Sequence, residues 1–185
     1  MPPFYTRQGD DGYTGLLGEG RVPKYHPQAE AVGTVDEATA ALGLARSLSL
    51  SGDVQEIVRF VQQDLYHVMA ELAAMPETAG QFVSLAEDRL AWLEKHTERF
   101  GSLVESPKEF ILPGDSLPAA AFALARTVVR RAERLVARLV HEGSVGRPEL
   151  LRYLNRLSSL CFVLELYENR LAGKSSPSLA KEPRP

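Results

Sequence analysis

Cysteine, tryptophan and methionine are scarce in this chain of 185 residues, at one, one and three. The lone Cys161, set among Leu160, Phe162 and Val163, gives no disulfide framework and reads as a small buried hydrophobe, which suits a reducing compartment. No eighteen apolar residues run together, so no membrane-spanning helix is expected. Neither sign of charge dominates: 21 basic and 24 acidic residues leave a net charge of -3, without the basic field that nucleic-acid binders use. The start, Met1 to Thr6, has no charged stretch leading into an apolar one, and the expectation is an untargeted cytoplasmic chain. His26, His67, His96 and His141 are scattered, with no cysteine or carboxylate at ligand spacing, so no protein-held zinc or di-iron centre is expected. No Ser-His or Cys-His nucleophile can be assembled from them either.

What is present suits one helical domain. With 44% hydrophobic and 24% charged residues, the chain can bury a core without staples. Apolar positions recur at helical spacing over about 29–49 (Ala31, Val35, Ala38, Leu42, Ala45), and over 53–75 (Ile57, Val61, Leu65, Val68, Leu72) with Asp53 as N-cap. A third, more exposed helix is expected over 84–100, with Gly101 as its C-cap, and two long ones over 118–141 and 148–172. No strand is expected. Residues 101–118, with three prolines and the run Phe110-Ile111-Leu112, read as a buried connector. The domain is placed at 1–172, and the proline-containing stretch 173–185 is expected to be a disordered tail.

Four segments carry chemistry. The first is a glycine-rich loop, Thr6-Arg7-Gln8-Gly9-Asp10-Asp11-Gly12-Tyr13-Thr14-Gly15, followed by Arg21 and Lys24. Glycines let backbone amides approach an anion, and hydroxyls and cations add donors, so phosphate binding is one reading and a plain turn-rich loop the other. It is no Walker A loop, because no Gly-Lys-Ser/Thr follows the glycines. In the second, Arg126, Arg130 and Arg134 share one helix face with Arg131 and Glu133 beside them, either a polyphosphate clamp or a solvated basic face. The third is Asp36, read as a partly buried carboxylate that calls for an arginine. The fourth is Tyr153-Leu154-Asn155-Arg156, which sets polar groups into an apolar stripe.

Together these segments resemble the PduO-type ATP:corrinoid adenosyltransferases, the group linked to propanediol use and methylmalonic aciduria. The resemblance spans roughly residues 4–171 and rests on TRQGDDGYTG at 6–15, EAVGTVDEATAALG at 30–43, FILPGDS at 110–116 with ARTVVRRAER at 125–134, and YLNRLS at 153–158. It implies an all-α, five-helix bundle of ferritin-like up-and-down type with an ordered glycine-rich N-terminal loop. It also implies a homotrimer whose active sites lie between subunits.

By resemblance, a Co(I) corrinoid attacks C5′ of ATP and expels triphosphate. ATP contacts fall on Thr6, Arg7, Gln8, Gly9, Thr14, Gly15 and Lys24, and on Arg130, Arg131, Glu133, Arg134 and Asn155. Lys24 and Arg130 take most of the phosphate charge. Mg2+ rides on the triphosphate, with Glu133 as its protein contact. Asp36 pairs with Arg126 across the subunit boundary, and Phe110 packs beneath the corrin and displaces its lower axial ligand. The partners implied are a corrinoid reductase and an adenosylcobalamin-dependent client enzyme.

The chain departs from the family pattern at several positions. Gln8 stands for the usual Thr, Gln28 for Arg, Ala38-Thr39 for Leu-Asn, Ala123 for His and Ser159 for Asp. The ATP loop is thus nearly whole, while the corrin side is altered. Two other readings stay open at this level: a non-catalytic paralogue that carries or senses ATP or adenosylcobalamin, and a helical bundle with no corrinoid link.

Overall fold

The structure, a computed structural model, describes residues 4–174 and 176–181. Five helices carry the fold: α1 (Pro27–Leu48), α2 (Gly52–Ala73), α3 (Asp88–Gly101), α4 (Leu117–His141) and α5 (Pro148–Leu171). Before them lies a short antiparallel hairpin, β1 (Tyr13–Gly15) and β2 (Arg21–Pro23), in the register Tyr13 to Pro23 and Gly15 to Arg21. The hairpin is a correction to the strandless expectation. Three residues per strand are too few to leave a period-two signature among so many glycines.

Local chemistry sets the helix ends. Ser51, not Asp53, caps α2, its hydroxyl accepting from Val54 N at 3.4 Å, and Ser116 caps α4 by accepting from Ala119 N at 3.4 Å. Each satisfies an amide donor that the first turn leaves open. Prolines stand in the first turn of α1, α4 and α5, where no amide donor is needed. Helix α3 begins at Asp88, later than expected, and runs through Gly101 to a cap at Ser102. Gly101 keeps a negative φ, so the left-handed cap expected there is not used.

The core is built from Leu42, Leu65, Leu72, Phe122, Leu139, Tyr153 and Leu160, all fully buried, with α4 packed chiefly on α5 and α1. Buried polar ties join the elements. Asp64 on α2 takes the Tyr153 hydroxyl at 2.7 Å and the Arg89 guanidinium at 2.8–2.9 Å, linking α2, α3 and α5. Burial, then the Asp64 charge, pushes Tyr153 ionisation well above its ordinary value. Glu71 on α2 accepts from the amides of Ser84 and Leu85 at 2.9 and 2.7 Å, which fixes the approach to α3.

The two ends of the bundle differ. At one, the glycine-rich segment is laced to the end of α2: Leu17 N donates to Ala73 O at 2.7 Å and Met75 N to Leu17 O at 3.1 Å. Gly18 lies so close that a Cβ there would meet Met75 Cβ at 2.6 Å. At the other end, the connector before α4 is exposed rather than buried, with Phe110 at 83%. Segment 176–181, expected outside the fold, pairs with it. Ile111 and Leu179 form an antiparallel bridge, Leu112 N donates to Ser178 O at 2.7 Å, and Ala180 N donates to Phe110 O at 2.8 Å. The tail is short of apolar residues, so its order comes from the free backbone groups of the connector rather than from burial. Residue 175 and residues 182–185 of the expected tail lie outside the described residues.

Candidate functional site

The N-terminal loop is organised around Arg21. Its guanidinium donates to Asp11 Oδ1 and Oδ2 at 2.9 and 2.7 Å, to Tyr13 O at 3.0 Å and to Gln8 O. This bonding holds the Asp11 carboxyl below the usual carboxylate range. Arg21 therefore shapes the loop and is not a free phosphate donor, contrary to its grouping with Lys24. The turn at 7–12 is tight: Asp10 N donates to Arg7 O, Gly12 N to Gly9 O, and Lys24 N to Gly12 O at 2.9 Å. Arg7 sits at φ 61, the left-handed region that a branched or long side chain seldom adopts, with its guanidinium 5.4 Å from the Tyr5 ring centroid. Gly9 lies under Lys24, whose Nζ would be 2.9 Å from a Cβ at that position. Thr6, Gln8 and Gly15 are exposed, and Thr14 is half-buried on β1.

On α4, burial separates the arginines. Arg130, Arg131 and Arg134 are exposed, while Arg126 is half-buried. Arg131 is paired with Glu37 of α1. Arg130 and Arg134 have no hydrogen-bond or ion-pair partner among the described residues. Glu133 does not face an arginine; its Oε1 accepts from Asn155 Nδ2 of α5 at 2.7 Å, and Asn155 Oδ1 accepts from Arg156 Nη1 at 2.7 Å. The structure thus joins two nominated residues, Glu133 and Asn155, across α4 and α5.

Arg126 and Arg130 share a cavity of about 600 Å³ with Phe110, Ile111, Ser158, Ser159 and Phe162. The Arg126 guanidinium carbon lies 5.8 Å from the Phe162 ring centroid. Its nearest carboxylate is Glu165 on α5, at 3.9 Å, which no motif pointed to. Asp36 stands exposed on α1 without a partner in the chain among the described residues, so the expected partial burial is corrected. Its apolar neighbours on the helix, not Asp36 itself, face the core.

No hydrogen bond or ion pair among the described residues links the loop at 6–24 to Arg126, Arg130 or Arg134. The loop is bonded to the segment where α2 finishes, and the Phe110 cavity lies against the middle of α4 and α5, at Arg126, Arg130, Ser158 and Phe162. Gln28, one of the departures, serves the fold. Buried, it donates to Leu72 O and Ala74 O at 3.0 and 3.1 Å and closes the end of α2. Ala123 is core, and Ser159 is an exposed cavity residue. Among the described residues no three of His, Cys, Asp and Glu converge on a point where a metal ion could sit.

An open loop rich in backbone amides, unpaired guanidiniums on a central helix and an aromatic-walled cavity define a helical-bundle ligand-binding domain. The chain belongs to the cobalamin adenosyltransferase family, whose model matches residues 4–168. It is 39% identical to the corrinoid adenosyltransferase PduO of Salmonella typhimurium, over 90% of this chain and 49% of that protein. It is 36% identical to a corrinoid adenosyltransferase of Bacillus subtilis, over 92% of this chain and 88% of that one. The chain spans about half the length of the Salmonella and Citrobacter PduO proteins it matches. Among solved structures, a point variant of the PduO-type ATP:corrinoid adenosyltransferase from Lactobacillus reuteri, complexed with cobalamin and ATP, superposes with a TM-score of 0.87 at 30% identity. That match covers 97% of this chain and 100% of that one.

Proposed function

We propose that this chain transfers the 5′-deoxyadenosyl group of ATP to the cobalt of a Co(I) corrinoid, releasing triphosphate and forming adenosylcobalamin. The observation that carries the reading is the pairing, on one helix, of unpartnered guanidiniums with a cavity of mixed lining walled by a projecting aromatic. Arg130 and Arg134 answer the charge of a leaving triphosphate, and Phe110 offers a flat face to a corrin. In the reaction a Co–C5′ bond forms as C5′–O breaks, and the electron pair leaves with the triphosphate. The protein therefore must hold C5′ in line and neutralise the leaving group.

Thr6, Arg7, Gln8, Gly9, Thr14, Gly15 and Lys24 form the nucleotide cradle, and Arg130, Arg131, Arg134 and Asn155 complete it from the helices. Mg2+ enters on the triphosphate, bound to phosphate oxygens and water, with Glu133 as its protein contact. Among the described residues no hydrogen bond or ion pair joins the loop to the arginines of α4, which supports a site completed by a second copy. The exposed α1 positions Asp36 and Leu44 and α4 positions Leu117 and Leu124 offer that interface, which favours a homotrimer with Asp36 reaching the Arg126 of a neighbouring copy. A corrinoid reductase supplies the substrate, and an adenosylcobalamin-dependent enzyme consumes the product. No described helix is long and apolar enough to cross a membrane, which agrees with work in the cytoplasm.

The test is anaerobic incubation of the protein with ATP, Mg2+ and chemically reduced cob(I)alamin, following the loss of Co(I) absorption and the appearance of a light-sensitive product. Catalytic turnover is expected. ATP binding without product would overturn the transferase reading in favour of a carrier or sensor.

A further inference from the structure

The Arg126–Glu165 pair leaves a buried polar atom without a hydrogen bond on each side, a trait it shares among the described residues with Arg147–Glu71, and it alone of the two borders the Phe110 cavity. Glu165 has a side chain only 2% exposed, yet its Oε2 accepts no hydrogen bond, and Arg126 Nε, 3.9 Å away, donates none. Each atom is cut off from water with its partner just out of bonding range, an arrangement that costs free energy unless another state uses it. The guanidinium belongs to the wall of the Phe110 cavity, one turn from Arg130.

We propose that Glu165 is a positioning residue for this cavity: its carboxylate holds Arg126 in the wall while the cavity is empty, and takes up a proton when a corrinoid covers the site and engages Arg126. The inference rests on the proposed corrinoid reading of the cavity. The charges acting on Glu165 are Arg126 from α4 and Asp115 from the connector, and Arg130 lines the same cavity. Its own helix contributes Cys161, buried and with its thiol pushed up to about 12, and Glu168, which is committed to Ser49 and to Leu50 N. Burial is the main cause that moves the Glu165 carboxyl up to about 7, and Arg126 opposes it. Drawing the Arg126 guanidinium away from it or further desolvation raises it again, so either consequence of binding draws a proton in. Linkage then fixes the sign: corrinoid binds more tightly as pH falls, and above about 7 affinity drops by up to roughly tenfold per pH unit.

The experiment titrates cob(II)alamin into the ATP-loaded full-length protein between pH 6 and 9, for wild type, Glu165→Gln and Glu165→Asp, with adenosyl transfer to cob(I)alamin measured alongside. Support is an affinity that falls with pH in wild type, is flat in Glu165→Gln and falls again in Glu165→Asp. Equal slopes in wild type and Glu165→Gln, with binding and transfer intact, overturn this inference alone. Absence of both binding and transfer in wild type overturns the cavity assignment and this inference with it. Thermal melts of each variant separate misfolding from a changed slope, and a Glu165→Gln protein that fails to fold leaves the Glu165→Asp slope to decide, a flat one overturning the proposal.

Discussion

Arg130, Arg134 and Lys24 are the cations of the nominated set with no committed partner among the described residues, whereas Arg21, Arg131 and Arg7 are engaged by Asp11, Glu37 and the Tyr5 ring. A guanidinium already neutralised by a carboxylate has less to offer a phosphate than a free one. Arg130→Ala is accordingly expected to lower kcat for adenosyl transfer by about 10²-fold or more, the scale of losing one preorganised contact to developing charge. Arg131→Ala should lose far less. Steady-state rates of the two variants with saturating ATP check the ranking, and equal losses would contradict it. Glu165 adds a pH effect on stability. Its native carboxyl titrates near 7, above the ordinary 4.5, so the folded state holds more protons than the unfolded between those values. Stability therefore falls as pH rises from about 4.5 to about 7 through this group. Urea melts of wild type and Glu165→Gln across that range should converge at low pH and separate at high pH.

Within the elements, two junctions stand out. The glycine loop is laced to the end of α2 through Leu17, and Gly18 is the point of closest approach, where an added Cβ would meet a Cβ fixed to the backbone. Gly18→Ala should destabilise by about 1–3 kcal/mol, the cost of overpacking a tight contact, and should weaken ATP binding by displacing the loop. Calorimetry of binding and of melting reads both. The connector at 110–115 is held by segment 176–181, with Ser178 donating its hydroxyl to Asp115 at 2.7 Å and its amide at 3.0 Å. These bonds hold the Asp115 carboxyl below its usual range. Their contribution is present above the unfolded value of about 3.8 and is lost as pH falls through the lower native value. Ser178→Ala should speed amide exchange at Leu112 and Ala180 while leaving the α4 interior protected, which hydrogen-exchange mass spectrometry resolves.

For the whole molecule, the layout along α4 decides how a site can form. Arg126 and Arg134 are eight residues apart, about 12 Å along the helix; Arg126 lines the Phe110 cavity at mid-helix, while the loop is bonded at the end where α2 finishes. One chain does not close these parts on each other, so assembly is expected to set activity. Asp36→Ala should shift the proposed trimer towards monomer in light scattering and reduce corrinoid use in parallel. Loss of transfer with the trimer intact would instead place Asp36 within the site and not in assembly.

Sequence by itself determined the helix count, four of the five helices to within a few residues and the family, because helical periodicity and ordered motifs are local properties of the chain. Phe110, the α4 arginines and the glycine loop were legible for the same reason. Only the tertiary structure decided which cations are free. Nothing in the sequence marks Arg21 as the clasp of its loop, Gln28 as the closure of α2, or Glu165 as the carboxylate beside Arg126, since each depends on where a distant segment packs. The hairpin and the pairing of 176–181 with the connector were hidden for a related reason. Backbone hydrogen bonds between short, polar segments leave no hydrophobic period to read, and they form only where the bundle brings the two strands together.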